Sequence, residues 1–159
     1  MERPVAVAFE GRIRAIEPGD VDAVLAIQEA SPEAARWTAH DYQYACEKLF
    51  YGIVAEVQGA VAGFLVARAA HDELEILNMA VRPADRRRGI ATLLLSEALS
   101  FGCSCGARRA FLEVRDSNHA AIAFYERLGF APAGRRPNYY AEPVEDALVL
   151  VRQLAPNSL

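Results

Sequence analysis

Lysine is almost missing from this chain. Of 159 residues with 17 basic side chains, Lys48 is the single lysine and the others are arginine. With a formal charge of −4, that excludes the broad basic surface of a general nucleic-acid binder. Arginine suits planar, two-pronged contacts to phosphate and carboxylate. Cysteine is scarce too, at three. An odd number argues against a disulfide framework, and Cys103-Ser104-Cys105 lacks zinc-ligand spacing, so these two and Cys46 read as reduced thiols. His40, His71 and His119 are scattered, and no metal is expected. No apolar run is long enough to span a bilayer. Residues 1–11 lack the basic start, apolar middle and cleavage site of a signal peptide. The expectation is a cytoplasmic protein with no membrane and no nucleic-acid partner. Repeats and long linkers are also missing, so one domain is expected over 1–159, with its core at about 11–154.

What is present is a regular succession of periodic segments. "GRIRAI" alternates as a strand. "PGDVDAVLAIQEA" reads as a helix, with Asp20 or a neighbour as cap and Val21, Val24, Leu25 and Gln28 at helical spacing. "TAHDYQYACEKL" reads as a second helix capped by Thr38. "YGIVAEV", "AVAGFLVARAA" and "ELEILNMAV" are strand-like, separated by turns at Gln58-Gly59 and Ala70-His71-Asp72. A third helix follows Gly89, with Ile90, Leu94, Ala98 and Phe101 facing inward, widened by Leu93 and Leu95. "RRAFLEVR" is a buried strand. "SNHAAIAFYERLGF" is a helix capped by Ser117 or Asn118 and ended by Gly129. "DALVLVRQL" closes the chain as a strand. The order β-α-α-β-β-β-α-β-α-β-β mixes hairpins with strand-helix-strand crossovers. It predicts a mixed, mostly antiparallel sheet in a three-layer α/β/α domain.

The segment "RPADRRRGIATLLL" places three arginines and a glycine at the start of the third helix. A first helical turn offers backbone N–H groups without intrahelical partners and the positive end of the macrodipole. Gly89 clears room for a ligand and Ala91 keeps the next turn small. Arg86, Arg87 and Arg88 add charge, completing a candidate pyrophosphate cradle. The alternative is a solvated arginine-rich turn. Neither a P-loop, which needs a lysine, nor a dinucleotide fingerprint, which needs three glycines, is present.

Arg86-x-x-Gly89-x-Ala91 matches the [QR]-x-x-G-x-[GA] motif of the GCN5-related N-acetyltransferase (GNAT) superfamily, which the chain resembles from about Gly11 onward. Within it, "LNMAVRPADRRRGIA", "LEVRDSNHAAIAFYERLGF" and "GRRPNYY" are similar to the bacterial ribosomal-protein-alanine N-acetyltransferase family. That resemblance implies a central sheet split by a bulged strand and acetyl-CoA as co-substrate. It also implies transfer of an acetyl group to the N-terminal alanine of ribosomal protein S18. The implied cofactor contacts are Met79, Ala80 and Val81 on the bulged strand, Arg86, Arg87, Arg88, Gly89, Ile90, Ala91 and Thr92 at the helix start, and Asn118. Asn118 reads equally as a helix cap. Trp37, Tyr139 and Tyr140 are the implied acceptor residues, with "RRPNYY" between the last two strands. Arg36 stands where relatives carry proline ahead of the tryptophan, and Pro137 interrupts the last motif.

The resemblance further implies Glu113 as general base and Tyr125 as general acid, with direct attack and no covalent enzyme intermediate. Strand alternation puts Phe111, Glu113 and Arg115 on one face, with Leu112 and Val114 on the other. A carboxylate in such a strand needs a partner or a role; an ion pair with Arg115 or Arg109 is the structural alternative. For Tyr125, helical spacing with Ala121, Ile122, Phe124 and Leu128 fits a core position. Two rival functions stand beside the leading one. One is an acetyltransferase for another protein terminus or a small amine; the other is a non-catalytic acyl-CoA-binding regulator.

Overall fold

The computed structural model describes residues 10–155. The elements are β1 (Gly11–Ala15), α1 (Val21–Glu29), α2 (Ala39–Cys46), β2 (Tyr51–Val57), β3 (Ala60–Ala70), β4 (Glu73–Val81), α3 (Ile90–Ser104), β5 (Arg109–Arg115), α4 (His119–Arg127), β6 (Ala131–Ala141) and β7 (Val144–Gln153). Their order is the one the periodicities predict. The chain forms two compact units. Among the described residues, one comprises 10–66 together with Asn78–Glu97; the other comprises Ala67–Leu77 and 98–155. No helix among the described residues is long and apolar enough to cross a membrane.

Local chemistry sets the helix ends. Thr38 caps α2 as expected: its Oγ1 accepts from the Asp41 N–H (3.3 Å), while the Asp41 carboxylate accepts from the Thr38 N–H (2.7 Å), a reciprocal capping box. Asn118 caps α4 through Oδ1, which accepts from the Ala121 N–H at 3.2 Å. Asp20 precedes α1 but does not cap it with its side chain. Its carboxylate instead accepts two hydrogen bonds from the Arg14 guanidinium (2.7 and 2.8 Å) and one from the Glu17 N–H. The fixed charge of Arg14 outbids a neutral amide, because charge-assisted hydrogen bonds are the stronger kind.

Two inward faces differ in detail from the spacing. On α3 the buried side chains are Ile90, Leu94, Leu95, Ala98 and Leu99, while Leu93 is exposed and Phe101 half-buried. On α1, Ile27 is buried and Leu25 only partly so. In both helices most of the expected face is buried, Val21, Val24 and Gln28 on α1 and Ile90, Leu94, Leu95 and Ala98 on α3, and only its edge shifts, which spacing alone does not fix when apolar residues sit side by side.

The seven strands form one mixed sheet, ordered β1-β2-β3-β4-β5-β7-β6, with β1 and β6 at its edges. The parallel ladder between β4 and β5 is short, joining Glu73, Leu74 and Glu75 to Arg109, Ala110 and Phe111. Burial alternates regularly along the whole of β4. On β3, a Cβ at Gly63 would lie 3.2 Å from Ile90 and 3.3 Å from Leu94 of α3, whereas Phe64 meets Tyr42 of α2 edge-on. The two helices therefore cover opposite faces of β3. On β4, Leu74 packs on Gly102 of α3, and Asn78 hydrogen-bonds Tyr42 of α2. Met79, Ala80 and Val81 form the end of the strand.

Candidate active site

In the first unit, the mouth of α3 is built as the sequence suggests, but its charges are distributed differently. The first helical hydrogen bond runs from the Leu93 N–H to the Gly89 carbonyl (3.0 Å). The N–H groups of Ile90, Ala91 and Thr92 therefore have no intrahelical acceptor. Arg87 and Gly89 both have positive φ, 65° and 79°. Left-handed residues of this kind fold backbone N–H groups into an anion-binding concavity. Space beside Gly89 is open: a Cβ there would meet nothing within 4 Å.

Two of the three arginines do not point their charge outward unopposed. Arg86 donates to the Val81 carbonyl (3.3 Å) and to Ser31 Oγ (3.2 Å), and it reaches the Ala30 carbonyl at the C-terminal end of α1. Arg88 lies 3.6 Å from the buried Asp85, which also holds Arg82. Arg87 has no ion-pair partner among the described residues. A net positive mouth remains, carried by Arg87, the helix dipole and the free N–H groups. The donor set and the open space fit a phosphate group.

Trp37 also belongs to the first unit. It follows α1 on the loop before α2 and packs on Tyr42 and Phe50, with ring centroids 5.2 and 5.9 Å apart.

In the second unit, β5 alternates as predicted: Ala110, Leu112 and Val114 are buried, and Phe111, Glu113 and Arg115 share the other face. The Glu113 side chain is only 14% exposed and pairs with Arg136 at 2.9 Å. It also accepts a hydrogen bond from the Tyr139 hydroxyl, which is pushed up to about 12 by that bond and then by burial. The two arginines weighed from sequence are engaged elsewhere. Arg115 pairs with Glu145 (3.2 Å), and Arg109 with Glu73 (2.9 Å). Arg136 was not among the expected site residues.

The segment "RRPNYY" lies inside β6, not between the last two strands. Its irregularity is what delivers two residues to Glu113. Arg136 and Tyr139 are three positions apart, so a regular strand would aim them at opposite faces. The β6–β7 register shifts between Arg136 and Tyr140, and Asn138 takes a φ of 51°. Pro137, which has no N–H to give a ladder, falls inside that bulge. Tyr140 stacks under the Arg115 guanidinium, 4.2 Å from ring centre, and edge-on to Tyr139 at 5.1 Å.

Tyr125 lies on α4, 9% exposed, between Phe124 and Phe130. Burial alone raises its hydroxyl above the ordinary tyrosine range. It is a core residue whose hydroxyl stays protonated near neutral pH.

Comparison with known proteins shows the family. The sequence profile described as the Acetyltransferase (GNAT) family matches residues 21–130. The chain is 37% identical over 122 residues to the [ribosomal protein bS18]-alanine N-acetyltransferase of Salmonella typhimurium, covering 70% of this chain and 82% of the relative. It is 31% identical over 140 residues to that of Escherichia coli K12, covering 87% and 94%. The crystal structure of the ribosomal-protein-S18-alanine N-acetyltransferase from Escherichia coli superposes with a TM-score of 0.79 at 30% identity, covering 94% of this chain and 98% of that one. The chain belongs to the acetyltransferase (GNAT) family and is an N-acetyltransferase.

Proposed function

We propose that the protein transfers the acetyl group of acetyl-CoA to the α-amine of an N-terminal alanine, and that ribosomal protein S18 is the acceptor. The relatives named for that reaction support the acceptor; the observation that carries the chemistry is Glu113, a nearly buried carboxylate with its charge already met. The mouth of α3 holds the coenzyme's diphosphate through the N–H groups of Ile90, Ala91 and Thr92 and the charge of Arg87. Asn118, already spent as a helix cap, adds its remaining hydrogen-bonding capacity. The bound thioester supplies the activated acetyl group.

A protein α-amine ordinarily titrates near pH ~8, so at neutral pH it is mostly protonated. Glu113 takes its proton, directly or through water, as general base. Backbone amides at Met79, Ala80 and Val81, at the end of β4, donate to the carbonyl oxygen as charge develops on it. Tyr125 donates to the departing thiolate; its raised hydroxyl stays protonated at neutral pH. Trp37, Tyr139 and Tyr140 line the acceptor's path. No enzyme nucleophile is used, so the cysteines take no part.

Incubation with acetyl-CoA and a peptide carrying the S18 N-terminus, read by mass spectrometry, tests this. The expected product is the peptide plus one acetyl group. Glu113→Gln should lower kcat by about a hundredfold or more, the range for a positioned base. A preference for small amines over the peptide overturns the acceptor assignment, and an unaffected Glu113→Gln variant overturns the assignment of the base.

A further inference from the structure

Five polar side chains are buried among the described residues: Asp20, Gln28, Ser31, Asn78 and Asp85. Three of them, Gln28, Ser31 and Asn78, hold one short segment, the loop at residues 31–37 between α1 and α2. The Asn78 amide pairs with Ala35 from both ends, Oδ1 accepting from the Ala35 N–H (3.1 Å) and Nδ2 donating to the Ala35 carbonyl (3.2 Å). Nδ2 also donates to the Tyr42 hydroxyl (3.0 Å). That hydroxyl donates to Gln28 Oε1, and Gln28 Nε2 donates to the Trp37 carbonyl (2.9 Å). Ser31 receives Arg86 at the loop's other end. The peptide bearing Arg36 and Trp37 is thus fastened on either side by buried amides.

Filling space does not explain this. Leucine has nearly the shape of asparagine and would avoid the cost of burying an amide. Every hydrogen bond that offsets that cost goes to the loop backbone or to a group that itself holds the loop. A satisfied buried network of this kind fixes one geometry. Asn78 is also the residue immediately before Met79 on β4. We infer that Asn78 is a positioning residue: from the strand proposed to bind the coenzyme, it holds the loop bearing Trp37 where the acceptor is received. The inference rests on the acetyltransferase reading above.

The test measures peptide KM, kcat and the acetyl-CoA dissociation constant for the full chain. Asn78→Asp keeps the acceptor for the Ala35 N–H but loses both donations; Asn78→Leu loses all three bonds. Each should raise peptide KM by about tenfold, as expected for one or two lost hydrogen bonds, with acetyl-CoA affinity changed less than about twofold. An unchanged peptide KM overturns the inference. So does a parallel loss of peptide and coenzyme binding, which a merely structural role would give. Gln28→Leu releases Trp37 but leaves Ala35 held. If the Asn78 variants do not fold, a rise of about threefold in peptide KM for Gln28→Leu, with coenzyme affinity intact, supports the inference, and no rise overturns it; the expected size again follows the worth of single hydrogen bonds. If the wild type does not acetylate the peptide, the acceptor reading fails by itself, and the same comparison is made with the amine the wild type does use.

Discussion

Glu113 and Arg136 meet at 2.9 Å, and in the mechanism proposed above the acceptor's ammonium comes to the same carboxylate. Two cations then share one anion. In a site of intermediate polarity, like charges within several ångströms repel by about 2–4 kcal/mol before screening, and the exposed Arg136 side chain lets solvent reduce that. Arg136→Gln removes the competing charge and leaves Tyr139 on the carboxylate. The acceptor peptide's KM should fall by about three- to tenfold, a size consistent with screened repulsion, while acetyl-CoA affinity stays as it was. Steady-state kinetics at low and moderate salt check this; a KM that rises would show that Arg136 contacts the acceptor favourably. The contact of Arg136 with Glu113 was not legible because it depends on a bulge. Sequence alternation puts Arg136 opposite Tyr139, and only the irregular turn around Pro137 and Asn138 brings both to Glu113. That Glu113 needs a partner or a role was legible, since a carboxylate in "FLEVR" stands out from an otherwise apolar strand. Its partner was not, because Arg115 and Arg109, nearer in sequence, are taken by Glu145 and Glu73.

For elements, hydrophobic period and end chemistry sufficed to place the helices and every strand but β6, whose "RRPNYY" was expected between strands. The capping pair of Thr38 and Asp41 and the cap at Asn118 are local, and local signals survive folding. What the sequence under-determined was rotation and side-chain destination. The α3 stripe turned toward Leu99, and Arg86 turned back onto α1. Gly89 offers a test at this scale, because its two consequences separate. Its φ of 79° strains any side-chain-bearing residue by about 1–2 kcal/mol, which in a chain of this size lowers Tm by roughly 2–8 °C. In the free protein the added methyl of Gly89→Ala meets no neighbour, so strain is its entire cost there. At the mouth of α3, however, the methyl occupies the space proposed for a phosphate. Acetyl-CoA affinity measured by calorimetry should therefore fall by more than tenfold, beyond anything a few degrees of Tm accounts for. Affinity that is preserved despite the lower Tm would place the diphosphate elsewhere.

Across the whole molecule, carboxylates held below their ordinary range recur in both units. Asp20 and Glu56 are lowered chiefly by hydrogen bonds from Arg14, Asp116 by Arg135, and Glu145 by Ser117 and then Arg115. A depressed carboxylate binds its proton more readily in the unfolded chain. Its stabilisation is therefore complete above the ordinary values of 3.8 for aspartate and 4.5 for glutamate, and it is lost as pH falls through them into the depressed range. Tm should be nearly flat from neutrality to about pH 5 and drop steeply below about pH 4, the window in which paired carboxylates take up protons. Arg14 sharpens the test, since it serves two of these groups at once, at 2.7 Å to each. Arg14→Leu strips both of their partner while keeping an apolar stem in place, and at neutral pH it should lower Tm clearly, because an unpaired buried Asp20 is left behind. Below pH 4 the wild type loses the same advantage by protonation. The two Tm curves, followed by circular dichroism, should converge as pH falls. Curves that stay parallel would assign the contribution of Arg14 to packing and not to its charge.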